Sequence, residues 1–555
     1  MKINNNRKIG ALVVSTLALV LNVAQADEFK WDLTGSGNWN TDTNWYNVTL
    51  SATASGTYPF TGDIVTIIGS GNIVNVPQVN PLTGNPASLT IESDATLMFN
   101  SGLREMQNTV ITNAGLILFK SGGFNMNTDN VTNTGTIAVD GAQGAIIHGV
   151  NNTGGLIVLR SGYLNSGFNA LIGGQLEILA TGTYSQTDVQ GTNKLDSVTV
   201  TNAGLLNWSS WISKGETSSR TKSLTLTDGT FANSGIVNLQ QLGSSSTAAV
   251  NLSHNLNMQL SGSNVFTNSG QLLILNNTSD TQTNDQIAQF TVNSGATLEN
   301  GSGAAITISN SASGTANSGY AQYARLTVSD GATFTNSGSI TVSLDAATTD
   351  DAQHYATLLI NRDWTNTGVI TVDRANKTAA VAALDLTGQA YTQTGADAVT
   401  RLLNGGQLNA ASATISAGLL GGNGVISAAT TISAGATLDP DGTLTLTSLT
   451  LDAGGILNFS LADTDLLNIT GNLTLGGATL NLTDDEVSTG TYSIANYGTL
   501  TDGYALTVSG LADEYTYKLD FITDSKISLT IIPEPSTWVL LLTGALTLAA
   551  LRRRR

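Results

Sequence analysis

Residues 326–344 read LTVSDGATFTNSGSITVSL, and variants of this phrase recur along most of the chain. Within it Leu326 and Val328 alternate with polar residues, Asp330-Gly331 form a turn, and Phe334 ends a second short strand. After Asn336-Ser337-Gly338 a third strand carries Ile340, Val342 and Leu344 on one side. Apolar alternation of period two, broken by Asn, Asp and Gly, is the signature of short half-buried strands joined by tight turns. The phrase returns as VTNTGTIAVDG from Val131, VNNTGGLIVLRSG from Val150, LTLTDGTFANSGIVNL from Leu224, VFTNSGQLLIL from Val265 and DWTNTGVITVD from Asp363. Units this short cannot bury an apolar side alone, so they must stack on one another. The chain is therefore predicted to be an all-β solenoid.

The Asn-x-Gly turns give its rhythm. Asn113, Asn133 and Asn152 follow one another at roughly twenty residues, the length of one three-strand coil, whereas Asn233, Asn268, Asn336 and Asn366 are more widely spaced,. Longer intervals imply inserted loops, with candidates at 213–222, 276–289 and 345–355. An Asn returning at successive turns suits an amide ladder along the axis.

Composition limits what such a rod can do. With 22 basic against 40 acidic residues the net charge is -18, which argues against a nucleic-acid partner,. There is no Cys to supply a disulfide or thiolate,. His148, His254 and His354 are far apart in sequence and are expected to be lone surface residues, so no metal or cofactor site is anticipated,. Carboxylate pairs capable of glycoside hydrolysis would have to come from Asp345 with Asp350 and Asp351, from Asp463 with Asp465, or from Asp484, Asp485 and Glu486,. Acids adjacent in Thr/Ser-rich loops are more often solvated turn residues, so no catalytic residue is expected. The alternative is a polysaccharide-degrading β-helix enzyme. Exposed threonines such as Thr443, Thr445 and Thr447 raise a third option, an ice- or crystal-binding face.

Both ends carry tripartite signals. Lys2, Arg7 and Lys8 precede an apolar run, and Ala24-Gln25-Ala26 is a small-x-small cleavage site, so residues 1–26 read as a cleavable signal peptide,. At the other end Pro533-Glu534-Pro535 leads into an apolar segment closed by Arg552, Arg553, Arg554 and Arg555, expected to be a transmembrane sorting helix,. Residues 533–555 resemble the PEP-CTERM sorting domain of Gram-negative surface proteins. That resemblance implies processing by an exosortase-type enzyme, transient inner-membrane anchoring and delivery to the cell surface or extracellular matrix. Exopolysaccharide or a neighbouring cell surface would then be the partner, and adhesion the role.

Between the signals, residues 27–90 concentrate Trp31, Trp39, Trp45, Tyr46 and Tyr58, and read as an N-terminal cap over the first rung; a sugar-stacking platform is the alternative,. Residues 91–400 form irregular repeats. Residues 401–482 form regular ones, with the turn Leu438-Asp439-Pro440-Asp441-Gly442, and from Gly418 to Leu482 they resemble the autotransporter-associated β-strand repeat. That likeness implies a right-handed parallel β-helix and brings no catalytic residue. Residues 483–532, rich in tyrosine, read as a C-terminal β cap.

Overall fold

Alternate side chains in a strand point to opposite sides, and the chain uses this throughout: Ser339–Leu344 buries Ile340, Val342 and Leu344 and leaves the residues between them half-buried,. The computed structural model describes residues 26–69, 71–76, 85–100, 104–127, 130–147, 149–165, 170–186, 191–211, 219–242, 253–278, 285–313, 320–462, 465–483, 488–521, 525–534 and 537–553. Among these the strands join in one long, mostly parallel 48-stranded sheet. It is wound as a solenoid.

The winding has three faces. On the first, Val110–Asn113 lies between Ser88–Ile91 and Val131–Asn133. On the second, Leu116–Phe119 lies between Thr96–Phe99 and residues 136–139. On the third, Gly123–Asn127 lies between Arg104–Gln107 and residues 143–147. The order is kept to the last turn, where one strand, Gly490–Ser509, supplies 495–497, 499–501 and 505–509 to the three faces in succession. Like side chains then stack inside: Phe231 on Phe266 at 4.5 Å and Phe334 on Trp364 at 5.1 Å between ring centroids, both pairs nearly parallel,.

The Asn-x-Gly turns build two ladders, not one. Asn113 Nδ2 donates to Asn133 Oδ1 at 2.6 Å and Asn133 to Asn152 at 2.5 Å, at the end of first-face strands. From Asn202 the ladder stands instead at the end of second-face strands, running through Asn233, Asn268, Asn300, Asn336 and Asn366 with links of 2.7–2.8 Å. Its residues are fully buried or nearly so. The adjacent glycine is needed for space rather than for an unusual dihedral: a Cβ on Gly235 would sit 2.2 Å from the carbonyl oxygen of Gly204, and one on Gly270 2.2 Å from that of Gly235. Successive turns touch there, backbone on backbone.

Antiparallel strands close both ends. Trp45–Asn47 pairs with Glu28–Trp31, and Ala52–Thr53 extends the pairing, so the first strand edge is covered,. Trp31, Trp39 and Trp45 are buried, with Trp45 edge-on to the other two at 4.9 Å, and offer no open ring for a sugar. At the far end Lys526–Pro533 lies antiparallel between Gly490–Ser509 and Tyr515–Asp520. The helix Thr537–Arg552 that follows has 16 residues, and no helix among the described residues is long and apolar enough to cross a membrane. This corrects the expected transmembrane helix: at 1.5 Å per residue it reaches about 24 Å, short of a hydrocarbon layer of about 30 Å.

Candidate functional site: one corner with long connections

Turns between the first and second faces and between the second and third are short. The corner from the third face back to the first is different in the middle of the rod. There the strands ending at Trp211, Leu242, Asn277, Asn310, Leu344 and Asp373 are followed only after extended connections by those starting at Arg220, His254, Gln286, Gln322, His354 and Val381. The three insertions expected from sequence all fall here. Every one precedes a first-face strand, so the connections all leave the coil along one edge of that face, termed the ridge; residues 212–218, 243–252, 279–284 and 314–319 within them lie outside the described residues.

Beneath the ridge the interior is polar. His254, Gln286, Gln322 and His354 occupy one register position on successive first-face strands, and Gln241, Asn276 and Asn310 the facing position on the third. All seven are fully buried. Asn276 Nδ2 donates to the Gln286 carbonyl at 3.0 Å, Asn310 Nδ2 to that of Gln322 at 2.7 Å, and the Thr278 hydroxyl to Gln322 Oε1 at 3.0 Å. Thr348 Oγ1 donates to the Asn310 carbonyl at 2.6 Å, tying the ridge to the seam. Buried polar groups hold a conformation when they are paired, so the seam fixes where the connections leave the core.

The histidines are therefore not surface residues as expected. His254 and His354 share the parity of Leu256 and Met258, and of Ala356 and Leu358, which carries them inward. That parity was the available signal. They stand three rungs apart, roughly 14 Å at the usual strand spacing, too far to share a metal ion. No group of three metal-ligating side chains occurs among the described residues. His148 lies outside them.

Among the described residues the acidic candidates do not converge either. Asp345 Oδ1 accepts from the Ala347 amide at 2.8 Å and Asp351 Oδ1 from that of Gln353 at 3.0 Å, so each caps its own turn. Asp350 reaches the next connection, accepting from the amides of Thr378, Ala379 and Ala380 at 2.7–3.1 Å and from the Thr378 hydroxyl at 2.8 Å. The Thr378 and Ala379 amides, then the hydroxyl and the Ala380 amide, hold its carboxyl far below the usual carboxylate range. A group held so firmly ionised does not serve as a general acid at neutral pH. Asp465 is buried and accepts from the amides of Ser460 at 2.7 Å and Gly442 at 2.9 Å. Asp463, Asp484, Asp485 and Glu486 lie outside the described residues.

The outer side of the first face, beside the ridge, holds a feature that sequence reading missed. Tyr323 and Tyr355 are register neighbours, as are Gln289, Arg325 and Thr357. Arg325 lies over the Tyr323 ring at 4.6 Å and its Nη2 donates to Gln289 Oε1 at 2.7 Å,. Burial raises the Tyr323 phenol, with Arg325 opposing and Asp285 assisting. Only pairing across rungs brings these residues together.

Thr443, Thr445 and Thr447 lie along one strand, and their register neighbours include Leu466, Asn468 and Val425, so they form no array across rungs. A threonine row does exist on the second face, at 365, 392, 414, 431, 450, 474 and 501.

Of the terminal residues, Pro533 ends a cap strand opposite Tyr515, and the Glu534 amide donates to the Glu514 carbonyl at 2.7 Å. Glu534 lines a depression of 490 Å³ with Asp513, Tyr515 and Tyr517. Arg552 and Arg553 are exposed at the end of the helix, and Ala26 is exposed at the start of the described chain. Ala24, Pro535, Arg554 and Arg555 lie outside the described residues. No protein-family model matches this chain, and no curated protein does.

Proposed function

We propose that the chain is an exported, non-enzymatic surface or matrix protein, a right-handed β-helical rod that presents one ridge of connections to exopolysaccharide or to a neighbouring cell. The observation that carries this reading is the segregation of long connections to one corner, above a polar seam that holds their bases. A rod of uniform core with variable loops on one side suits display. Right-handed winding is the hand that parallel crossovers take. The described acids Asp345, Asp350, Asp351 and Asp465 are engaged by backbone amides, which weighs against the polysaccharide-degrading alternative.

The terminal signals give the destination. The N-terminal segment directs export, and Pro533-Glu534-Pro535 with the apolar helix and its arginines forms a sorting tail read by an exosortase-type peptidase. Intact-mass measurement on protein recovered from the surface of a host with such a peptidase tests this. The expected species begins near Asp27 and ends near Pro535; a species retaining Arg552 to Arg555 would defeat the processing reading. Steady turnover of a polysaccharide, lost in an Asp345/Asp350/Asp351 variant, would replace the display reading with the enzymatic one.

A further inference from the structure

We infer that the outer side of the first face around Tyr323, Arg325 and Tyr355 is a binding platform for an extended, uncharged polysaccharide. The inference rests on the display reading and deepens it, assigning the surface and the class of ligand.

Four successive strands form this part of the face: His254–Ser261, Gln286–Val292, Gln322–Val328 and His354–Ile360. Apart from their two buried histidines, these strands hold no Lys, Asp or Glu, and Arg325 is their one Arg. The platform is thus almost without charge on a chain of net charge -18, which would repel a polyanion over long range,. Its polar groups are amides, hydroxyls and one guanidinium, the groups that exchange hydrogen bonds with sugar hydroxyls. Tyr323 and Tyr355 add apolar rings one rung apart.

Two of these groups are unsatisfied. Arg325 Nε is buried without a hydrogen-bond partner, although Nη2 of the same side chain is engaged by Gln289. Thr327, on the same outer side and only 8% exposed, has a hydroxyl with no partner. A buried donor without an acceptor is costly, and a ligand hydroxyl placed there would relieve it. The Thr327 hydroxyl can both give and take a hydrogen bond, which again suits a sugar alcohol.

The rungs beneath these side chains also have the regular spacing of a polymer. Register-paired residues advance by about 4.8 Å per rung along the axis, close to the advance of an extended chain of hexose rings. On one side of this face Asp285 Oδ1 accepts from the Ala321 amide at 2.8 Å and links the ends of neighbouring connections. A chain lying along the axis would meet rings, amides and hydroxyls in turn.

Native electrophoresis of the full chain through gels containing hydroxyethyl cellulose, xyloglucan, dextran or alginate tests the platform. The expected result is retardation by at least one neutral polymer and none by alginate, with the dissociation constant raised at least tenfold in Tyr323→Ala/Tyr355→Ala. Thr450→Ala on the second face is expected to behave as the parent. Should the double alanine variant fail to fold, Tyr323→Leu with Tyr355→Leu keeps the apolar bulk, removes the flat rings and is judged by the same rule. No retardation by any neutral polymer, retardation unchanged by the paired substitutions, or preference for alginate overturns the inference. So does a platform that instead mediates self-association, seen as concentration-dependent dimers lost in the same variants. Failed export with gel binding intact would count against the display reading alone, and correct export without binding against this one alone.

Discussion

At the scale of single residues the asparagine ladders are directional. Every Nδ2 but the last of each ladder gives a hydrogen to the next rung's Oδ1, and most give another to a backbone carbonyl, as Asn233 does to Asn268 and to Gln271. The first member of each ladder then has no donor above it, because the preceding register positions hold Ile91 and Ile178. Accordingly Oδ1 of Asn113 and of Asn202 is buried without a partner. Asn268→Ala is expected to destabilise by about 2–5 kcal/mol, since it strands the Asn233 donor above and the Asn300 acceptor below, and Asn202→Ala by about 1–3. Chemical denaturation of the two variants checks the order. The glycine beside the ladder gives a second comparison. Gly235→Ala forces a methyl against the Gly204 carbonyl and should cost about 1–3 kcal/mol or more,. Gly149→Ala, whose nearest neighbour would be 3.8 Å away, should melt like the parent.

These residues also show what the sequence could say. VTNTG at 131–135 and FTNSG at 266–270 read alike, and both were legible as ladder turns. Yet Asn133 ends a first-face strand and Asn268 a second-face strand. Local alternation says that a segment is a strand, whereas the face it joins is decided by pairing with residues one coil away. The cluster of Tyr323, Arg325 and Gln289 was illegible for the same reason. The burial of His254 and His354 was not: parity with their neighbours already marked it.

Among the structural elements, the connection carrying Asp350 is clasped to the next one by that carboxylate, with Lys377 Nζ donating back to the Ala346 carbonyl at 2.8 Å. The depressed pKa of Asp350 means that its part of the clasp is present above the ordinary carboxylate range and is lost as pH falls through the lowered value,. Hydrogen exchange at residues 378–380 should therefore be slow at neutral pH and stay slow until strongly acid conditions. Asp350→Asn should exchange faster at every pH, and mass spectrometry of peptides spanning these residues would show it. The stack at Tyr391 titrates at the other extreme. Burial pushes its phenol up to about 12, partly offset by the Thr400 hydroxyl at 2.6 Å. A raised acid pKa leaves stability intact below the unfolded value near 10 and erodes it between there and 12, by about 2–3 kcal/mol in full. Tyr391→Phe should lose less stability over that alkaline interval, as read from thermal melts against pH. The short apolar helix at the C-terminus, by contrast, was legible in composition and length, and only its expected span of a membrane is corrected.

As a whole molecule the chain is a stack in which each turn touches only its neighbours, so it need not unfold all at once. With one turn per about 4.8 Å, small-angle scattering should return a rod on the order of 80–90 Å long. The caps bound this stack. Trp45→Ala removes the ring shared by Trp31 and Trp39 and should cost about 3–5 kcal/mol while loosening the pairing that covers the first edge,. End-to-end dimers in size-exclusion chromatography would report it.

The confinement of long connections to one corner has a bearing on how such a chain can change. A residue added within a face would shift every later side chain to the wrong side of its strand. Residues added between Leu242 and His254, or between Leu344 and His354, enter after one face is complete and before the next begins. The turns above and below keep their partners. Length variation and new binding chemistry can thus accumulate along this edge while the coil is inherited intact, which makes the corner the natural place to graft a foreign peptide.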